Sequence, residues 1–211
     1  MIVSRHHRFI FVAIPRTGSQ SIRFALRPHL GQEDWEQEDF DGGRRFPLAE
    51  LASRGHGHLT IDDLRSTIGE PLRGYRSFAV LRDPCARYLS FANYRYGRNA
   101  VFRRNPAAFL KLLVGRETGD DRVFARPQIE YVQRRDGRMA VNSLLRFDRL
   151  ETEFPCLTQT LGLPAIFLPK INSSRRQIAV GQLDAELRGM IEERYREDIA
   201  LIKTASGVGA L

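Results

Sequence analysis

Cysteine is scarce in this chain, with Cys85 and Cys156 the only two. Two cysteines supply neither a disulfide framework nor a zinc site, so stability has to come from a buried core; the count fits a reducing compartment. Long apolar runs are missing as well. Nothing approaches the roughly 18 apolar residues that a membrane-spanning helix needs. The opening "MIVSRHHRFIFVAI" holds an apolar stretch too short for a signal peptide, with two histidines and two arginines ahead of it. These absences point to a soluble, cytoplasmic protein. No low-complexity tract and no repeat of about 20 to 50 residues is present, which excludes solenoids and propellers. Lysine is nearly absent too, since all but three of the 33 basic residues are arginine.

What is present suits one globular domain over residues 1–211. With 42% hydrophobic residues the chain can bury one full core, and two independent cores would be a squeeze. The formal net charge of +8 suggests an anionic ligand, a polyanionic substrate or nucleic acid, and equally fits a solvated arginine-rich surface.

Apolar stretches alternate with helical patterns. "RFIFVAI" reads as a buried strand ended by Pro15, and "SQSIRFALRPHL" as a helix that Ser19 or Ser21 could cap and that Pro28 and Gly31 stop. Residues 32–56 read as an irregular, acidic surface excursion. "GHGHLTIDDLRSTIG" begins extended and turns helical, with Thr60 the N-cap ahead of Asp62 and Asp63. "YRSFAVLRDP" is a second strand and "CARYLSFANYRYG" its following helix. Along that helix Arg87, Ser90 and Tyr94 share a stripe. "NPAAFLKLLVG" is a helix capped by Asn105, "VNSLLRF" a third strand and "ETEFPCLTQTLG" a short helix. "PAIFLPK" reads as strand-like, and "LDAELRGMIEERYREDIALIK" as one closing helix. This alternation predicts an α/β, three-layer, P-loop-like fold whose central sheet is mostly parallel and flanked by helices. In such sheets ligands bind at the carboxyl ends of the strands.

Two loops sit at such ends. In "FIFVAIPRTGSQSIRFAL" an apolar run meets Pro15, Arg16, Thr17, Gly18, Ser19, Gln20 and Ser21, and a helix follows at once. Gly18 permits close backbone approach, Thr17, Ser19, Gln20 and Ser21 add side-chain donors, and Arg16 adds charge. The loop suits one phosphate group at a helix N-terminus. A nucleoside-triphosphate loop would need G-x-x-x-x-G-K-[ST] to wrap a polyphosphate and hold Mg²⁺; here there is one glycine and no lysine. The second loop, in "LRDPCARYLS", offers Arg82 and, two helical turns on, Ser90. That pair can hold a second phosphate, with Asp83 placed to orient Arg82. Each loop alone also reads as an ordinary turn. Together they suggest a ligand with two separated phosphates.

At these residues the chain resembles the sulfotransferase superfamily. "PRTGSQS" is similar to the family's 5′-phosphosulfate loop, P-K-T-G-T-T-S, and "RDPCARYLSFANY" to its 3′-phosphate motif, R-D-P-x-x-R-x-x-S-x-Y, with the tyrosine later, at Tyr94. "GHGHLT" resembles the H-G-H segment of the uronyl 2-O branch of carbohydrate sulfotransferases. "ARPQIEYV", "LLRFDRLETEF" and "LPKINSSRR" resemble later segments of that superfamily, in order. The resemblance implies 3′-phosphoadenosine 5′-phosphosulfate (PAPS) as donor, no metal, and sulfuryl transfer to a hydroxyl, that of a saccharide by analogy.

It also implies roles. His58 aligns with the second histidine of H-G-H and becomes the general base, with His56 the second candidate; imidazole suits proton transfer near neutral pH. Arg16 stands where the family usually has lysine. It supplies charge to the leaving phosphate but not a proton. Thr17, Gly18, Ser19, Gln20 and Ser21 cradle the 5′-phosphosulfate, and Arg82 and Ser90 the 3′-phosphate. Asn172, Ser173, Ser174 and Arg175 close over the nucleotide. Tyr94 and Tyr96 either line the acceptor cleft or pack on their helix. The arginines of "YRYGRNAVFRR" and "VQRRDGR" either meet an acidic saccharide or are solvated. Competing readings are a P-loop kinase, disfavoured by the missing GK[ST], and a non-catalytic polyanion binder. Nucleic acid is not an expected partner, because no helix-turn-helix, RNA-binding or zinc motif accompanies the charge.

Overall fold

The computed structural model describes residues 1–37, 58–69, 72–169 and 178–205. Five strands form one sheet: β1 (Ile2–Ser4), β2 (Phe9–Val12), β3 (Trp35–Glu36), β4 (Arg76–Leu81) and β5 (Ser143–Arg146), in the order β3-β1-β2-β4-β5. The pairs β2–β4 and β4–β5 are parallel, with Phe11 opposite Phe78 and Phe78 opposite Ser143. The pairs β1–β2 and β1–β3 are antiparallel. The expected mostly parallel sheet is therefore half parallel and half antiparallel. The reason is the four-residue link between β1 and β2, which is long enough for a hairpin and far too short for a parallel crossover. The sequence reading missed β1, and it took Trp35–Glu36 for irregular surface.

The layering is as expected. Successive residues of each strand face opposite ways, so one side of the sheet buries Phe9, Phe11, Phe78 and Val80 and the other Ile10, Val12, Ala79 and Leu81. Helices α1 (Ser19–Leu26), through Ile22 and Leu26, and α8 (Leu150–Thr160), through Phe154 and Leu157, cover the first face. Helices α2 (Ile61–Ile68), α7 (Ile129–Val132) and α10 (Arg196–Thr204) cover the second. A further cluster joins α3 (Pro84–Tyr96), α4 (Ala100–Arg104), α5 (Pro106–Leu113) and α9 (Ala185–Arg194) around Phe91, Phe102, Leu110 and Ile191. Helix α6 (Asp121–Ala125) is a short link.

Several ends follow their sequence signals. Thr60 accepts from the Asp63 N–H and Asp63 from the Thr60 N–H, each at 3.0 Å, a reciprocal cap. Asn105 caps α5 with Pro106 at its first turn. Others depart. The closing helix breaks at Tyr195, which is buried and donates its hydroxyl to the Ala125 carbonyl at 2.6 Å. Residues 164–168 form no strand, and Pro164 provides no N–H for one. Asp83, expected to orient Arg82, instead caps α3 by accepting from the Ala86 N–H at 2.8 Å. Neither Ser19 nor Ser21 caps α1. Its N-cap is Gly18, in the left-handed region with φ 85°, and among the described residues there is no side-chain cap on its first turn.

Candidate active site

The site grows from the carboxyl ends of the parallel strands. After β2 the chain turns through residues 15–18, with Arg16 at φ 66° and Gly18 at φ 85°. Left-handed backbone suits glycine, and at Gly18 there is a second constraint: a Cβ would lie 3.2 Å from the Phe147 ring. Thr17 is fully buried and donates its hydroxyl to the Ile14 carbonyl at 3.0 Å, so its hydroxyl holds the turn together. Ser19 is buried, Ser21 half-buried and Gln20 exposed, at the uncapped start of α1.

The two loops interlock. Arg16 donates through Nε and Nη2 to Ser90 Oγ, each at 3.1 Å. Arg82 Nη1 donates to the Arg16 carbonyl at 2.9 Å, and its guanidinium lies 4.3 Å from the Phe147 ring centre. Arg87 completes the lock. It is almost fully buried and donates to the carbonyls of Pro15 (3.1 Å), Phe124 (2.9 Å) and Arg126 (2.8 Å). The helical stripe expected for Arg87, Ser90 and Tyr94 is thus divided. Arg87 points into the protein, Ser90 faces the loop, and Tyr94 is 58% exposed. Burial lowers the pKa of Arg16, while Tyr94 works the other way; a guanidinium stays charged at neutral pH regardless. Arg16 also sits 4.6 Å from the Tyr94 ring centre.

His58 is brought to the same place from the second face of the sheet. It is buried, and its Nδ1 lies 2.7 Å from the carbonyl of Ala13, at the end of β2. A carbonyl only accepts, so Nδ1 carries the proton and the neutral ring has its lone pair on Nε2. Phe124 packs edge-on to His58 at 5.9 Å and against Tyr94 at 5.8 Å. Arg16, Tyr94, Phe124 and His58 form a continuous wall. Tyr96, in contrast, bonds Asp121 and packs among Phe91, Phe102 and Phe109, a structural position. His56, Asn172, Ser173, Ser174 and Arg175 lie outside the described residues.

A cleft of about 430 Å³ opens at the ends of β4 and β5, bordered by Arg82, Phe147, Arg146, Asp148 and Lys203; it shares Arg82 with the interlock, and none of Arg16, Tyr94, Phe124 and His58 lines it. Arg146 holds Asp148 in a two-point ion pair at 2.7 and 3.1 Å. Among the described residues no group of His, Cys, Asp and Glu could hold a metal ion, and no helix is long and apolar enough to cross a membrane.

Sequence reasoning missed Arg87, Phe124, Gln128, Phe147 and Asp198. Arg87 carried a local signal, the second arginine of "RDPCAR", and Gln128 and Phe147 lay within "ARPQIEYV" and "LLRFDRLETEF" without being singled out. The others act through contacts far apart in the chain.

A parallel-strand α/β unit carries a glycine-bearing strand–helix loop after β2 and, tied to it through Arg16, the residues Arg82 and Ser90 from the loop and helix after β4; α/β enzymes use such strand ends for anionic ligands. The sequence profile of the Sulfotransferase family matches residues 1–118, more than half of the chain, and the protein belongs to that family. It is a transferase, a sulfotransferase. The matched stretch contains both loops and His58. No curated protein and no solved structure matches the chain significantly.

Proposed function

We propose that this sulfotransferase takes its sulfuryl group from PAPS and transfers it to a saccharide hydroxyl, with His58 as general base. The observation that carries the reading is the interlock of the two loops beside His58. Arg16, Ser90 and Arg82 are tied together across 66 and 74 residues of chain. One molecule with two separated phosphate positions explains why both loops are built and joined.

The residues fit such a donor. The uncapped first turn of α1 presents N–H groups and the positive end of the helix dipole. Gly18 keeps side-chain bulk out of the turn, and Arg82 with Ser90 offers the second anion seat. When bound, PAPS supplies an activated sulfuryl group on a good phosphate leaving group. His58 accepts the acceptor hydroxyl's proton on Nε2 as the new O–S bond forms. The bond from sulfur to the bridging phosphate oxygen breaks, and Arg16 with the α1 N–H groups stabilises the charge that grows there. Arg16 works by charge alone, since arginine does not give up a proton.

Tyr94 and Phe124 offer aromatic faces for a sugar ring between Arg16 and His58. The exposed Arg98, Arg103 and Arg104 lie in a stretch, residues 84–116, that contains no Asp or Glu. Arg95 and Lys111 of that stretch pair with acids elsewhere, and the remaining local excess of positive charge supports an acidic saccharide.

The test is transfer from radiolabelled PAPS to a panel of acidic polysaccharides, neutral dextran and a phenol. Label on an acidic polysaccharide alone is the expected result. Label on the phenol alone would overturn the acceptor assignment, and ATP- and Mg²⁺-dependent phosphorylation would overturn the donor.

A further inference from the structure

Arg82 is gripped at its main chain as well as its side chain. Gln128 Oε1 accepts from the Arg82 N–H at 2.9 Å, and Gln128 Nε2 donates to the Arg82 carbonyl at 2.8 Å. One amide thus bonds both main-chain groups of one residue, as a neighbouring strand would, immediately past the end of β4. Gln128 is in turn oriented by Asp198, on the first turn of α10. Asp198 Oδ2 receives the Gln128 N–H at 2.8 Å and Nε2 at 3.3 Å, and Oδ1 receives the Ile129 N–H at 2.9 Å. Both side chains are fully buried.

The chemistry fixes the direction of this relay. An ionised carboxylate only accepts, so Asp198 selects the Gln128 rotation that turns Nε2 toward it and toward the Arg82 carbonyl. The opposite rotation would set amide oxygen against carboxylate oxygen. A buried carboxylate is also a poor device for stability alone, because well-packed apolar side chains usually do as well or better. What it adds is orientation. The oriented peptide sends the Arg82 guanidinium to the Arg16 carbonyl and over Phe147. Both Gln128 and Asp198 lie beyond residues 1–118, the stretch that matches the family.

We propose that Gln128, held by Asp198, is a positioning residue for the donor's 3′-phosphate: it fixes the Arg82 peptide so that the guanidinium is already aimed at that phosphate. This rests on the PAPS reading of the site.

The experiment measures, by calorimetry, the affinity of the full chain for 3′,5′-adenosine bisphosphate and for adenosine 5′-phosphate, which lacks the 3′-phosphate. Their ratio isolates the 3′-phosphate contribution. In the wild type the bisphosphate binds much more tightly, and Arg82→Ala removes most of that preference. Gln128→Met keeps the side-chain length without the amide and lowers the ratio by about tenfold, while adenosine 5′-phosphate affinity stays within about twofold. Asp198→Asn shifts the ratio the same way and decides the matter if Gln128→Met does not fold. Added to Arg82→Ala, either change has little further effect on the ratio, as expected for residues acting through one another. A purely structural role would weaken both ligands alike. A wild-type ratio in the folded variants overturns the positioning role and leaves the PAPS reading standing. A wild-type protein that does not distinguish the two nucleotides overturns both.

Discussion

Strand β2 has two polar ends that are built on opposite plans. Before Phe9, the turn from β1 is knotted around Asp34. Its carboxylate accepts from the Ser4 hydroxyl (2.8 Å) and from the N–H groups of Arg5 (2.7 Å), His6 (3.1 Å) and Gly31 (2.9 Å). After Val12, the loop gathers donors instead: Arg16, Arg82 and the uncapped start of α1, countered by neutral carbonyls and Ser90. A charge fully answered by its own chain is architecture. Cations gathered around a helix N-terminus, joined through carbonyls and a hydroxyl, suit the anion proposed above.

The comparison breaks most visibly at His58. His58→Ala is expected to lower sulfuryl transfer by about 10²–10⁴-fold, the usual worth of a general base. Affinity for 3′,5′-adenosine bisphosphate should stay near wild type, because His58 is held at the Ala13 carbonyl while the proposed phosphate seats are Arg82, Ser90 and the start of α1. Near-normal turnover on the true acceptor would remove His58 as base.

At the other end of β2 the readouts reverse. Asp34→Ala leaves the buried Ser4 hydroxyl and three backbone N–H groups without their acceptor and should cost about 1–3 kcal/mol of stability. Nucleotide affinity should not change. Burial acts to raise the Asp34 pKa, but the hydrogen bonds from His6, Ser4, Gly31 and Arg5 outweigh it and hold the carboxyl below its usual range. A depressed native pKa contributes stability that is fully present above the ordinary carboxylate range. It is lost as pH falls through the lower native value, so Asp34 contributes to unfolding in acid below about pH 4. Urea denaturation at several pH values checks this: the gap between wild type and Asp34→Ala should narrow as pH drops.

Gly18→Ala should have a smaller effect, on binding more than on folding. The strained φ costs about 1 kcal/mol, and the new methyl presses on the Phe147 ring. Adenosine bisphosphate affinity is expected to fall by about tenfold. An unchanged affinity would mean that the turn does not need its present shape.

How much of this could be read in advance divides along the same line. Residues 15–21 and 82–90 could be singled out because their residue types stand at fixed local spacings, and the structure ties the two loops together. His58, the proposed base, could be singled out through its H-G-H segment. The antiparallel edge was not, because Ile2–Ser4 and Trp35–Glu36 are too short to show a period. The supporting shell was not legible either. Gln128 meets Arg82 across 46 residues and Asp198 meets Gln128 across 70. No local spacing records such contacts, and a buried glutamine or aspartate reads in sequence like any surface one.

The smallest expected effect tests how tightly the donor side is closed. Cys85 sits in the first turn of α3, where a helix N-terminus ordinarily favours thiolate. Burial pushes its pKa up to about 11 instead, with the nearby Asp83 adding to the rise. Cys156, on α8, is exposed. A thiol reagent at neutral pH should therefore label one cysteine in the native protein and two after unfolding, and Cys156→Ser should leave stability and nucleotide affinity unchanged. Labelling of Cys85 in the native protein as fast as Cys156 would show that the start of α3 opens readily. In that case Arg82 and Ser90, at its two sides, would not be a fixed seat, and the contrast between the two ends of β2 would be one of sequence alone.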